Sequence, residues 1–244
     1  SMIIVIGSIN LDLIANLERL PAAGETLQGT SFATAPGGKG ANQALAAARA
    51  RAAVRMIGAV GKDSFAAEAL ALLQSGNVDL TGVTESSAST GTALILVGGD
   101  GENMIAVVAG ANAAVVPGDL VKARLGNGDI VLLQHEIPLN TVDAALDAAH
   151  EAGAVTVLNT APYRDEAAAY LAKADYVVAN ETEFDLNCAL LKLDGSDRTE
   201  RMRAFAAKTG HAVVVTLGSD GVLAATPDSF HQVPALKIKP VDTV

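Results

Sequence analysis

The chain has 244 residues, half of them hydrophobic and 18% charged, with 17 Lys+Arg against 27 Asp+Glu for a formal net charge of −10. That is enough aliphatic material for a large core and too much for a disordered chain. The acidic balance, 3% aromatics and absence of Trp argue against a nucleic-acid binder, which needs a basic stripe or a stacking platform.

Ser1 ahead of Met2 is set aside as a tag remnant. The first apolar run, Met2 to Ile6, carries no basic segment before it, so no secretory leader is expected. No apolar run approaches the ~20 residues that cross a bilayer. Short, β-branched-rich runs recur at Asp129–Leu133, Val155–Leu158, Tyr176–Ala179 and Ala212–Thr216. Strands buried on both faces of a parallel sheet read this way. Between them lie helical patterns: Ala41–Arg51, Ser64–Gln74 ending near Gly76, Thr141–Glu151 ending at Gly153, Asp165–Lys173, and Thr199–Lys208 closed by Gly210. The alternation predicts an α/β fold with a mostly parallel central sheet and helices on both faces. Thr26–Ala35 alternates without a helical pattern. Thr92–Val97 and Asn103–Val108 flank a glycine-rich turn, predicting strands outside the main sheet. No linker or repeat cuts the chain, so 1–244 reads as one domain.

Ligands of open α/β sheets bind beyond the carboxyl ends of the strands. There the sequence places Gly7-Ser8-Ile9-Asn10-Leu11-Asp12, then Gln134-His135-Glu136, Asn159, Asn180-Glu181-Thr182-Glu183, and Thr216 to Gly221. Pro36-Gly-Gly-Lys-Gly-Ala-Asn-Gln43 opens the Ala-rich helix. It is either a ligand loop presenting backbone N–H groups or a tight turn, and it fits neither a Walker A loop nor G-x-G-x-x-G. Asn10 and Asp12 suit vicinal hydroxyls or an Asx turn. Asn180 and Glu183, at i and i+3, suit phosphate and magnesium or a capped helix start. Thr216–Gly221 wraps a nucleotide or joins two strands. His135 reads as structural. The lone cysteine, Cys188, reads as core, excludes an internal disulfide framework and a multi-Cys zinc site, and is consistent with a reducing, cytoplasmic setting.

Taken together, these residues resemble the ribokinase branch of the ribokinase/phosphofructokinase-B carbohydrate kinase family. The resemblance runs over the whole chain, through Gly7-Ser-Ile-Asn-Leu-Asp12, Pro36–Gln43, Gly58-Ala-Val-Gly-Lys-Asp63, Ala109-Gly-Ala-Asn112, Asn180-Glu-Thr-Glu183 and Thr216-Leu-Gly-Ser219. It implies a three-layer ribokinase-like fold with a small β-lid formed by roughly residues 12–36 and 92–109, often a homodimer interface. It implies ATP-dependent phosphorylation of a pentose, foremost D-ribose to D-ribose 5-phosphate; another sugar or a nucleoside is the alternative substrate. The implied sugar pocket is Asn10, Asp12, Gly38, Lys39, Asn42 and Glu136. The implied nucleotide contacts are Asn180, Thr216, Gly218 and Gly221, with Glu183 placing Mg2+ through water and Asp242 and Val244 contributing to a K+ site. The family signature Asp-Thr-x-Gly-Ala-Gly-Asp begins at Asp242-Thr243-Val244, and the base Asp of that motif falls beyond Val244. The 244 residues are therefore expected to lack the catalytic base and to bind sugar at best. Membrane and nucleic-acid partners are not expected.

Overall fold

The computed structural model describes residues 1–239. It divides into two compact units, Ser1–Ala154 and the stretch from Val155 onward.

The first unit runs β1 (Ile3–Ile6), β2 (Asn10–Leu17), β3 (Ser31–Gly37), α1 (Lys39–Arg49), β4 (Val54–Gly61), α2 (Ser64–Ser75), β5 (Asp79–Ser86), β6 (Gly91–Gly98), β7 (Asn103–Val108), β8 (Ile130–Leu133) and α3 (Leu139–Ala152). Its main sheet is parallel, with β1 between β4 and β8 and with β5 outside β4. All eight residues of β4 are buried. Alternation along that strand explains how. Val54, Met56 and Val60 join Val5, Ala41, Ala44 and Leu73 in the core beneath α1 and α2. Arg55, on the other face, donates from Nη1 to the carbonyl of Ala123 at 2.7 Å and pairs with Asp79 at 3.0 Å. The guanidinium is thus buried with its donors satisfied, the condition for a tolerable buried charge. The hydrogen bonds from Thr81, together with Arg55, hold the Asp79 carboxyl down to about 2.

A separate four-stranded sheet runs β3-β2-β6-β7. Its outer pairs are antiparallel, but β2 and β6 are parallel, with Asn10 opposite both Gly37 and Gly91. These strands fulfil the expectation of a small sheet outside the main one. Phe32, Leu94, Met104, Ile105, Val107 and Val108 leave apolar surface exposed on it.

The second unit runs β9 (Val155–Asn159), β10 (Tyr176–Asn180), α4 (Glu181–Leu190), α5 (Arg198–Thr209), β11 (Ala212–Thr216), β12 (Val222–Ala225) and β13 (Phe230–Val233). Here β9, β10 and β11 are parallel, and β12 and β13 continue antiparallel from β11. Phe184 of α4 and Phe205 of α5 meet as tilted rings with centroids 6.1 Å apart, both fully buried.

Three sequence expectations need correction. The helix expected over Asp165–Lys173 is two short 3-10 turns, Asp165–Ala169 and Leu171–Lys173, interrupted at the buried Tyr170, whose φ of −124° is not helical. The first helix starts at Lys39, not Ala41, and ends at Arg49. Asn10 and Asp12 stand on a strand, so neither closes an Asx turn.

Candidate functional site

The polar residues of the first unit gather where β1 and β8 end and α1 begins. Helix α1 lacks a side-chain cap of its own, since Gly38 at its N-cap has none. Its first N–H groups are satisfied from other elements instead. Lys39 N–H donates to Glu136 Oε1 at 2.8 Å, Gly40 N–H to Ser8 Oγ at 3.1 Å and Ala41 N–H to the Ser8 carbonyl at 2.8 Å. Ser8 Oγ–H in turn donates to the same Glu136 oxygen at 2.7 Å. A carboxylate at a helix N-terminus is favourable, because that end carries partial positive charge. Gly38 has φ +91°, and a Cβ there would stand against the backbone of Ser8 and Asn10. The glycine loop is therefore a backbone-to-backbone contact with the first strand, and a turn as well.

Around this seam lie the expected sugar residues. Asn10 opens β2 and is 3% exposed. Asp12 follows on the same strand; a Cβ at Gly37 would overlap its carboxylate. Burial first, then the Glu136 charge, push the Asp12 carboxyl above the usual range. Two acidic groups thus share one place, poised to accept from hydroxyls. The side chains of Lys39, half-buried, and Asn42, exposed, make no hydrogen bond or ion pair among the described residues. All six residues of the expected set, Asn10, Asp12, Gly38, Lys39, Asn42 and Glu136, belong to this unit.

Sequence reasoning left several supporting groups out of the site. Gln134 accepts from Ser8 N–H at 3.4 Å and donates from Nε2 to the Ile6 carbonyl and to Gln43 Oε1 at 3.0 Å. Ser8 and Gln134 are each fully buried. The signal for them was present: Gln134 directly follows an apolar run read as a strand, and Ser8 follows another after Gly7. Asn112 was legible only as part of the Ala-Gly-Ala-Asn motif. His135 is 3% exposed, as a structural histidine should be.

In the second unit, Asn180 and Glu183 form a reciprocal capping box. Glu183 N–H donates to Asn180 Oδ1 at 2.8 Å, and Asn180 N–H to Glu183 Oε1 at 3.0 Å. The capped helix start is thus real, and it leaves the Asn180 NH2 group and the second Glu183 oxygen outside the cap. Asn180 is exposed and its Nδ2 has no partner among the described residues. Thr216 stands beside Asn180 in register on β11 and is exposed as well. The turn beyond it carries Gly218 at φ +59° and Gly221 at φ +93°; Leu217 N–H closes it on the Gly221 carbonyl at 2.8 Å. Asn180, Thr216, Gly218 and Gly221 therefore belong to adjoining strand ends of one sheet.

No group of three or more His, Cys, Asp or Glu could hold a metal among the described residues. Glu183 is a different kind of candidate. Its Oε1 accepts from the cap and from Thr160 Oγ1 at 3.4 Å, whereas Oε2 accepts nothing among the described residues. One available carboxylate oxygen suits Mg2+, which keeps several waters and shares its shell with phosphates. Asp242 and Val244, the expected K+ residues, lie outside the described residues. Cys188 is buried in α4, and desolvation raises its thiol to about 11, the behaviour of an inert core cysteine. No helix among the described residues is long and apolar enough to cross a membrane.

Comparison with known proteins places the chain among carbohydrate kinases. The profile of the pfkB family carbohydrate kinases matches residues 1–244. A deoxyribokinase of Salmonella typhi is 36% identical over 246 residues, covering 99% of this chain and 80% of its own. A ribokinase of Bacillus subtilis is 37% identical over 246 residues with the same coverage, 99% and 80%. Among solved structures, the Arabidopsis thaliana ribokinase complexed with ribose and ATP superposes with a TM-score of 0.81 at 29% identity, covering 98% of this chain and 80% of that one.

Proposed function

The chain belongs to the pfkB family of carbohydrate kinases, and we propose that within it the protein transfers the γ-phosphoryl group of ATP to D-ribose, giving D-ribose 5-phosphate. The observation that carries this reading is the convergence of Asn10, Asp12 and Glu136 with the Gly38–Asn42 loop at one seam of the first unit. A sugar offers several hydroxyls, each donor and acceptor, and this set offers matched acceptors with amide and ammonium donors.

Asp12 and Asn42 would fix the sugar with its 5-hydroxyl toward the phosphate. Alignment of this kind accounts for several kcal/mol of a phosphoryl-transfer barrier. Asn180, Thr216 and the turn carrying Gly218 and Gly221 would contact the nucleotide. Mg2+, when bound with ATP, would neutralise phosphate charge, and Glu183 would meet its water shell. The four-stranded sheet carrying β2 would act as a lid excluding water from the sugar. The base that removes the hydroxyl proton is not assigned to any described residue, since Asp12 and Glu136 already serve as sugar acceptors. K+ would activate through Asp242 and Val244. Because ATP is the donor, we place the reaction in the cytoplasm. Exposed Phe32, Met104, Ile105 and Val107 support a homodimer through the lid, which sedimentation at micromolar concentration would reveal as twice the monomer mass.

The test is ADP release by the whole enzyme with D-ribose, 2-deoxy-D-ribose and D-fructose. Preference for D-ribose supports the reading. Preference for 2-deoxy-D-ribose shifts the substrate within the family, a result the Salmonella relative makes specific, and no release with any sugar overturns it. Glu183→Gln retains the carbonyl oxygen that caps α4, so Tm should stay within about 2 °C of wild type. Its effect should fall on the Mg2+ titration of activity, with the half-saturating concentration rising several-fold. An unchanged titration would remove Glu183 from metal placement.

A further inference from the structure

Asn112 lies on the 3-10 turn Gly110–Ala114, far in sequence from Asn10, and is 2% exposed. Its amide bonds both the backbone N–H and the backbone carbonyl of Ile9. Oδ1 accepts the Ile9 N–H at 2.9 Å, and Nδ2 donates to the Ile9 carbonyl at 3.3 Å. A backbone N–H can only donate and a backbone carbonyl can only accept, so this pair fixes which end of Asn112 is which. The same Nδ2 then reaches Asn10 at 2.6 Å, where it requires an acceptor. Asn10 must therefore turn Oδ1 toward Asn112, and its Nδ2 points away, without a partner among the described residues although the residue is 3% exposed. Gly91 completes the arrangement, because a Cβ there would overlap both Asn112 Nδ2 and Asn10 Oδ1. The turn itself is pinned by Ala111 N–H to the Ser89 carbonyl at 2.7 Å.

We propose that Asn112 is a positioning residue that orients the Asn10 amide so that it presents only N–H donors to the substrate. The oxygen of the sugar opposite Asn10 must then accept, and a sugar lacking that oxygen leaves a buried donor unpaired. This rests on the reading that Asn10 faces the sugar. A buried unpaired group is worth a discrimination of roughly 10- to 100-fold.

Two variants of the whole enzyme test it. Asn10→Asp keeps an oxygen for Asn112 Nδ2 and keeps the shape, but replaces the donor face by an acceptor. The KM for D-ribose should rise at least ~30-fold, with the KM for ATP within about twofold. Asn112→Asp still accepts from Ile9 N–H but now calls for a donor from Asn10, which would rotate an oxygen toward the sugar. Its KM for D-ribose should rise about 10-fold or more, again with ATP spared. A purely structural role would instead lower Tm and affect both substrates alike. Side-chain amide spectra of 15N-labelled protein separate the two layers of the argument. The Asn10 pair, identified by its loss in Asn10→Asp, should shift on addition of D-ribose in wild type and cease to do so in Asn112→Asp. If the enzyme phosphorylates D-ribose but the Asn10 pair ignores it, Asn10 does not face the sugar. If the pair responds and Asn112→Asp keeps a wild-type KM, the positioning role alone is overturned. A wild-type KM in Asn10→Asp would mean that an acceptor faces the sugar, which also overturns it.

Discussion

Asp12→Asn should cost the enzyme about 10³-fold in kcat/KM for the sugar while making the unliganded protein more heat-stable at neutral pH. Hydrogen bonds to an ionised group are each worth roughly 1.5–3 kcal/mol, so losing two such acceptor contacts to sugar hydroxyls gives an effect of this order. The nucleotide contacts proposed for Asn180 and Thr216 lie on other strands, so the KM for ATP should hold within about twofold. The stability gain has a separate cause. Burial and the Glu136 charge raise the Asp12 carboxyl above its usual value. A raised acid contributes its stability while protonated and loses it as pH climbs through its folded-state value. That penalty grows as pH rises out of the carboxylate range, and Asp12→Asn, which carries no titrating group there, has none of it. The Tm difference should therefore be positive at pH 7 and shrink as pH falls through the carboxylate range. Activity within tenfold of wild type would remove Asp12 from the pocket. A Tm below wild type at pH 7 would show that its burial is not the dominant cost.

Gly40→Ala should strongly destabilise the first unit. A Cβ at Gly40 would stand 2.5 Å from the Ser8 nitrogen and 2.7 Å from both the Gly7 carbonyl carbon and the Ser8 oxygen. These are backbone atoms of the segment after β1, and they cannot rotate aside. Helix α1 would have to lift from the sheet, stretching the bonds from Gly40 to Ser8 Oγ and from Ala41 to the Ser8 carbonyl. Overpacking of this kind costs about 3 kcal/mol, and for a chain of this size that lowers Tm by roughly 6–12 °C. Sugar turnover should fall in parallel, since Lys39 and Glu136 meet through the same helix start. A Tm within about 2 °C of wild type would mean that the helix and strand are not in backbone contact.

The parallel strands were legible because burial on both faces leaves a continuous apolar run, as in Ile3–Ile6 and Ala212–Thr216. Val54–Gly61 was equally buried yet escaped notice, for Arg55 and two glycines break its apolar run. The reason appears only in three dimensions, where Arg55 is carried by Asp79 and a carbonyl. Strand β2 was hidden by its chemistry, since a segment containing Asn10, Asp12 and Asn16 reads as a polar loop until the neighbours Ser31–Gly37 and Gly91–Gly98 flank it. The candidate site was legible as residue types at strand ends. Its wiring was not, because Ser8 to Glu136 and Asn10 to Asn112 join residues more than a hundred positions apart. At Asn180 and Glu183 the capping reading does not exclude the functional one, since the cap leaves the Asn180 NH2 group and one Glu183 oxygen unused.

The parallel pairing of β2 with β6 bears on how the molecule is assembled. Asn10 finds Gly91 only after β4, α2 and β5 have been laid between them. Closing a loop of that length is entropically expensive until the intervening sheet exists to repay it, and non-local parallel pairings form late. The four-stranded sheet should therefore be the last part of the first unit to gain amide protection during refolding. Because Asn10 and Asp12 ride on β2, one of its two inner strands, the sugar affinity proposed for them should emerge in that same final step, well after the core under α1 and α2 has closed.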